Sequence, residues 1–247
     1  MHRFYVPPEQ WRAYSFALTG REAHHASHVL RVRSGEHVLV LDGVGMEYRC
    51  EVDALSRERV GLRLLEQRQR RPLPWRLTLL QAIPKGKLFE TILQKATELE
   101  VFRVVPLISD RVIGHREDDR EAKRERWELA AIEAIKQCGS PWLPRIETPV
   151  TPLEFLERKE TFDLALLGSL LPDRRHPREY FRAYELAHGR KPESLAVWVG
   201  PEGDFSPAEV AAIQAGGAQP ISLGQSVLRT DTAAVCCLAV VNYELRA

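Results

Sequence analysis

The segments SLAVWVGPEGDFSPAEV (194–210) and ISLGQSVLRTDTAAVCCLAVV (221–241) follow one another near the end of the chain. Each reads as a buried strand, a glycine-bearing turn and the start of a helix. In the first, the apolar run Leu195–Val199 leads into Gly200-Pro201-Glu202-Gly203-Asp204. A helix start follows at once. Ser206 is an N-cap candidate, Pro207 takes the first helical position, and Glu209 stands at the spacing of a capping box. Phe205 and Val210 occupy the two positions of a hydrophobic staple. In the second, Ile221–Leu223 meets Gly224, a short apolar stretch reaches Leu228, and Arg229-Thr230-Asp231 opens the terminal helix. Glycine at a strand end lets a ligand approach the backbone, and open parallel sheets bind ligands beyond the carboxyl ends of their strands. The active site is expected there.

Upstream, from Trp75 on, strands and helices alternate. Leu77–Ala82 is a buried strand that ends in Ile83-Pro84-Lys85-Gly86-Lys87. Leu88–Leu99 carries Phe89, Ile92, Leu93, Ala96 and Leu99 on one stripe, the pattern of an amphipathic helix. Val101–Ile108 is the next strand, and Glu121–Cys138 is a long helix with Trp127, Ala131, Ala134, Ile135 and Cys138 facing in. Phe162–Leu167 is a strand finishing at Gly168-Ser169, and a helix covers roughly Pro177–Ala187. This alternation predicts an α/β domain with a mostly parallel sheet covered on both faces. The N-terminal part differs. Short strands at Arg3–Val6, His37–Leu41, Met46–Leu55 and Arg59–Leu65, with turns at Asp42-Gly43 and Ser56-Arg57, suggest a small β-barrel. The charged, proline-marked stretch QRQRRPLP (67–74) is the expected linker, which divides the chain into domains 1–71 and 72–247.

Charge sharpens that division. Residues 1–71 hold 12 Lys+Arg against 9 Asp+Glu, whereas the remainder holds 23 against 25, so the N-terminal part is the more basic. It also holds five of the eight histidines. That suits a polyanion, though a solvated arginine-rich surface gives the same count. His24, His25 and His28 fall on a short helix, Ala23–Leu30, where RNA contact or plain surface polarity outweighs a metal site. Cys50, Cys138, Cys236 and Cys237 form no CxxC pair and read as buried reduced thiols. No apolar run approaches a membrane span, and MHRFYVPPEQ lacks the apolar core of a signal peptide. A cytoplasmic protein without metal or membrane partner is expected.

Several enzyme classes are set aside by their missing motifs. PKGK (84–87) is not a phosphate-binding GxxxxGK[ST] loop, no GxGxxG opens a helix after a strand, and there is no GxSxG elbow. What remains is a site of backbone turns with Glu202, Arg229 and Asp231 as its ionisable groups. Such a site suits an adenosine-like ligand held by main-chain donors and apolar walls.

VGPEGDFSPAEV (199–210) followed by SLGQSVLRTDTA (222–233) resembles the two signature segments of the SPOUT methyltransferases. Within that class the chain is most similar to the ribosomal RNA small subunit methyltransferase E family, which methylates uridine N3 in 16S rRNA. RFYVPP (3–8), HHASHVLRVRSGEHVLVLDG (24–43), QAIPKGKLFETILQKATELEV (81–101) and AIEAIKQCGSPWLPRI (131–146) extend the resemblance over both expected domains. It implies a PUA-like β-barrel for RNA and a SPOUT domain with a deep trefoil knot that binds S-adenosylmethionine; general folding rules alone argue against a knot. It implies that the cofactor lies among Leu167, Gly168 and Ser169, Gly200, Pro201, Glu202 and Gly203, and Leu223, Gly224, Val227, Leu228 and Arg229. It also implies a homodimer through the knot and the last helix, where Ala234, Val235, Leu238 and Val241 either pack against a partner or fill their own core. Three positions depart from the family's usual pattern: Asp204 for a glycine, Ser226 for an arginine and Asp231 for a glutamate.

For the chemistry, uracil N3 carries a proton that must leave, which calls for a base or a cation that stabilises the anion. Arg229 is the first candidate for the cation, with a helix or ribose contact as its alternative role. Glu202 is expected to organise its loop more than to act as base. Glu98 could reach a neighbouring site, although an i, i+3 pair with Lys95 also explains the spacing. Arg3, Arg31, Arg33, Lys85 and Lys87 are the RNA-contact candidates, with solvated surface charge as the alternative for each. Two rival functions remain: a non-catalytic RNA-binding or ribosome-assembly protein, and a SPOUT enzyme acting on another RNA.

Overall fold

Pro7 and Pro8 lack the N–H that a strand ladder needs, and proline suits the first turn of a helix. The opening strand β1 (His2–Tyr5) therefore stops, and a short helix α1 (Pro8–Ala13) begins. A computed structural model of the chain describes residues 1–13, 16–56, 58–111 and 120–246. They form two units, Met1–Pro72 with Ile132–Leu143, and Leu73–Ala131 with Pro144–Ala247.

In the first unit, β1 and α1 are followed by β2 (Ala17–Thr19), α2 (Gly20–His24) and a π-helical turn, His25–Val29. Then come β3 (His37–Leu41), β4 (Met46–Leu55) and β5 (Arg59–Gln69). The sheet order is β1-β3-β4-β5-β2, curled as a half-barrel, with β1 parallel to β3 and the other pairs antiparallel. Phe4, Leu18, Val38, Val40, Cys50, Val52 and Val60 form its core. The Asp42-Gly43 turn is held by Asp42 Oδ1, which accepts from the N–H groups of Val44 and Met46, each at 2.9 Å. Of the expected Ser56-Arg57 turn, Arg57 lies outside the described residues.

Residues 132–143 join this unit through specific bonds. Gly45 N–H donates to Pro141 O at 3.0 Å, and Leu143 N–H donates to Gly43 O at 2.9 Å. Lys136 Nζ reaches Glu22 Oε1 at 2.9 Å, both side chains largely buried. Arg3, an RNA-contact candidate, donates from Nη1 to the carbonyls of Lys136 and Gln137, at 3.2 and 3.0 Å. Those carbonyls have no partner within their own helix, and a guanidinium at a helix C-terminus also suits the dipole. The rings of His24 and His28 stack at 4.6 Å, while His25 sets its edge towards Phe4. Among the described residues, no three His, Cys, Asp or Glu side chains gather as a metal site.

The second unit carries β6 (Arg76–Ala82), α3 (Leu88–Glu98), β7 (Arg103–Leu107) and α4 (Arg120–Cys138), whose last turns belong to the first unit. It continues through β8 (Arg145–Ile146), α5 (Pro152–Glu157), β9 (Leu164–Gly168) and α6 (Pro177–His188). It closes with β10 (Ser194–Val199), α7 (Pro207–Ala215), β11 (Gln219–Ile221) and α8 (Thr230–Arg246). The sheet order is β11-β9-β10-β6-β7-β8, and every pair is parallel. Central β10 is buried from Leu195 to Val199, the continuous apolar run that a sheet covered on both faces requires. Its start is held by Asp163, which accepts from the N–H groups of Glu193 and Ser194. The Arg190 guanidinium beside Asp163 and those N–H groups hold its carboxyl well below the usual carboxylate range.

Some burial expectations need correction. Cys138, in the last turn of α4, is exposed, and Cys236 is half-buried, whereas burial pushes the Cys50 and Cys237 thiols up to about 12. Leu99 caps α3 and is only half-buried. On α8, Ala234, Leu238 and Val241 are buried against their own chain, leaving Val235 half-exposed. No helix among the described residues is long and apolar enough to cross a membrane.

Candidate active site

Because β11, β9 and β10 are neighbours in a parallel sheet, the turns leaving their carboxyl ends come together. Between them lies a cleft open to solvent. Gly168, Ser169 and Leu170 line it from the first turn, with Arg174 just beyond. Val199, Gly200, Pro201, Glu202 and Asp204 line it from the second, and Leu223, Gly224, Ser226, Val227 and Leu228 from the third. Thr230 and Ala233 complete it from the first turn of α8.

The second turn is built by the local chemistry of its sequence. Ser206 caps α7: its hydroxyl accepts from Glu209 N–H, and the Glu209 carboxylate accepts from Ser206 N–H at 2.8 Å. The other Glu209 oxygen accepts from Asp110 N–H at 2.9 Å, and Ser206 Oγ donates to Asp110 Oδ2 at 2.7 Å. Asp204 has a left-handed backbone, φ 62°, and its Oδ1 accepts from Phe205 N–H at 2.8 Å. That conformation accounts for the glycine usual at this position, since aspartate is among the few other residues that tolerate it. A Cβ on Gly200 would stand 2.8 Å from Asp204 Oδ1 and 3.1 Å from Phe205 N, so a larger residue forces the turn to shift. Arg111 donates to Gly203 O.

The expected site residues divide accordingly. Gly168, Gly200, Pro201, Glu202, Leu223, Gly224, Val227 and Leu228 line the cleft; Leu167 lies in the core beneath it, and Gly203 lies beside it. Glu202 Oε1 accepts from Lys85 N–H at 3.1 Å, so this carboxylate ties the exposed Lys85–Lys87 loop to the second turn. Arg229 contributes no atom to the lining; its exposed guanidinium stands 3.7 Å from Asp231. Glu98 is outside the lining, and both its oxygens accept from Lys95 Nζ at 2.9 Å. In the first unit, Arg31 and Arg33 are exposed, and Arg31 has a left-handed φ of 54°.

Sequence reasoning missed Thr230, Arg174 and the buried Gln81. Gln81 Nε2 donates to Thr230 Oγ1 at 3.0 Å, and Thr230 Oγ1 donates to Gly200 O at 2.6 Å. A glutamine near the carboxyl end of an apolar strand was the available signal, because a buried amide needs partners.

The cleft suits an adenosine-like group. Leu170, Val199, Val227 and Leu228 supply apolar surface, and the glycine turns expose main chain where side chains would otherwise intrude.

The chain matches the RNA methyltransferase domain family over residues 71–242 and the RNA methyltransferase PUA domain family over residues 18–65. Ribosomal RNA small subunit methyltransferase E of Bacillus subtilis is 30% identical over 234 residues, 94% of this chain and 91% of that protein. The Synechocystis protein of the same name is 33% identical over 248 residues, 99% of this chain and 78% of that one. Among solved structures, a Legionella pneumophila protein holding the cofactor SAM aligns with a TM-score of 0.87 at 29% identity, covering 98% of this chain and 97% of that one. Ribosomal RNA small subunit methyltransferase E from Neisseria gonorrhoeae, bound to S-adenosyl methionine, aligns at 0.82 with 29% identity, covering 98% and 96%. By its domain matches and its full-length relatives, this chain belongs to the ribosomal RNA small subunit methyltransferase E family.

Proposed function

We propose that this protein is an S-adenosylmethionine-dependent methyltransferase that modifies N3 of a uridine in 16S rRNA of the small ribosomal subunit. The observation that carries the reading is the cleft itself: three turns from adjacent parallel strands, opened by Gly168, Gly200 and Gly224. The cofactor supplies an electrophilic methyl on a sulfonium, so the chain needs neither metal nor covalent nucleophile. Its residues must orient the acceptor nitrogen, and orientation of that kind lowers the barrier by several kcal/mol. They must also favour loss of the N3 proton. Arg229, exposed beside the third turn, is the proposed cation for the developing uracil anion. Glu202 serves as organiser of the Lys85–Lys87 loop, consistent with its bond to Lys85 N–H. Glu98 accepts from Lys95 Nζ, and the proposal gives it no step.

Residues 1–71 are assigned to RNA binding, with Arg31 and Arg33 as phosphate contacts, and residues 72–247 to catalysis. Lys85 and Lys87 are the proposed contacts near the cleft, and the target base must leave its stack to reach the methyl. The reading includes a trefoil knot in the catalytic domain and a homodimer through α8. Support for the dimer comes from the outward side of that helix, where Ala239 and Tyr243 are exposed beside half-exposed Val235 and Val240. A cytoplasmic location follows from the substrate.

The deciding experiment is methyl transfer from labelled S-adenosylmethionine to small subunits lacking the modification, followed by nucleoside analysis. N3-methyluridine made by the wild type and lost in Arg229→Ala, with cofactor affinity retained, is the expected result. Cofactor binding without product on small subunits would move the substrate to another RNA. Absence of cofactor binding would leave a non-catalytic RNA-binding protein.

A further inference from the structure

Strand β6 supplies no atom to the lining of the cleft, yet one of its side chains is bonded into the cleft's frame. Gln81 is fully buried, and its Nε2 donates to Ala82 O at 2.9 Å and to Thr230 Oγ1 at 3.0 Å. Thr230, itself buried, donates its hydroxyl proton to Gly200 O at 2.6 Å. A hydroxyl has one proton to give, so with that proton on Gly200 it can only accept from Gln81. The other orientation of the amide would bring Oε1 against Ala82 O and against a hydroxyl whose proton is already used. The direction of every bond in this chain is therefore fixed. It is maintained although Gln81 Oε1 is left buried without a partner.

Gly200 begins the second turn and Thr230 follows the third. The buried bond between them ties the two turns together, and Gln81 holds the hydroxyl that makes it. We propose that Gln81 is a positioning residue for the cofactor cleft, acting through Thr230 on the Gly200 carbonyl and the first turn of α8. This deepens the methyltransferase reading and rests on it.

The test compares S-adenosylmethionine affinity by titration calorimetry with thermal melting, in the full-length protein. Thr230→Val keeps the shape and removes the hydroxyl, and is expected to weaken cofactor binding about tenfold. Gln81→Leu should weaken it to a similar extent, and the double variant should be no weaker than the worse single one, because the three groups act as one chain. Thr230→Ser restores the hydroxyl and should restore affinity to within about twofold of wild type. Asn242→Leu is the control: Asn242 is buried on the same helix and donates to Leu99 O at 2.8 Å, outside the cleft lining. It should lower the melting temperature without moving cofactor affinity. The proposal is overturned if Thr230→Val and Gln81→Leu bind cofactor as wild type does, or if Thr230→Ser stays as weak as Thr230→Val. A wild-type protein that binds no cofactor overturns the methyltransferase reading, and this inference with it.

Discussion

The second and third turns of the cleft have the same sequence logic, a strand, a glycine and a helix start, but they are constructed very differently. The Gly200–Ser206 turn is tied from several sides: Asp110 and Glu209 bracket the helix cap, Arg111 takes Gly203 O, Lys85 N–H takes Glu202, and Thr230 takes Gly200 O. The Ser222–Arg229 turn has bonds between Ser222 and Gly224 and one from Ser222 N–H to Arg175 O, and then exposes Gln225, Ser226, Val227 and Arg229 to solvent. A rigid wall fixes what a common ligand must fit, whereas an open wall can take its final form against a substrate. The proposed division follows: the second turn and the lining residues of the third hold the cofactor, and Arg229, at the exposed end of the third, meets the RNA base.

The largest expected effect is at the most crowded point of the rigid turn. Gly200→Ala places a Cβ against the Asp204 side chain and the Phe205 backbone, so the turn must shift. Overpacking of that kind costs about 1–3 kcal/mol, and chemical denaturation together with cofactor titration should show lost stability and lost binding. An unchanged affinity would mean that the second turn is as adaptable as the third. Next comes Glu209→Ala, which strips acceptors from Ser206 N–H and Asp110 N–H at once. Loss of the cap and of a second bond predicts a fall of about 1–2 kcal/mol in unfolding free energy.

What could be read in the sequence tracks the range of the interactions. Ser206, Pro207 and Glu209 lie within four residues, so the capping box was visible as a pattern and is present as bonds. The strands of the parallel sheet were visible because a strand buried on both faces must be continuously apolar. β2 and β8, of three and two residues, are too short to carry a period, and neither was foreseen. The Gln81–Thr230 bond spans 149 positions and leaves no local trace beyond a polar residue in an apolar strand. Arg3 shows the same limit from the other side. Its charge suggested RNA, and only the fold reveals that carbonyls more than 130 residues away take its guanidinium. The placement of residues 132–143 in the first unit was hidden likewise, because the periodicity of α4 says which face is buried and not against what.

Two smaller effects sharpen the contrast between the turns. Asp204 holds φ 62° with its carboxylate on Phe205 N–H. Asp204→Ala loses that bond and keeps a β-carbon in the left-handed region, so it should be less stable by about 1–2 kcal/mol. Asp204→Gly loses the same bond but relieves the backbone, and should stay within about 1 kcal/mol of wild type. Alanine equal to or above glycine would mean that the backbone there is not held left-handed in solution. Arg229→Ala lies at the bottom of the stability scale. Its side chain is 73% exposed and stands 3.7 Å from Asp231, the geometry of a surface pair worth about 0–1 kcal/mol. Its unfolding free energy should therefore match wild type within about 0.5 kcal/mol, as for most exposed substitutions, while methyl transfer falls. A loss of stability as large as that of Glu209→Ala would make the third turn as tightly built as the second. The assignment of the exposed end of the third turn to the RNA base would then lose its structural basis.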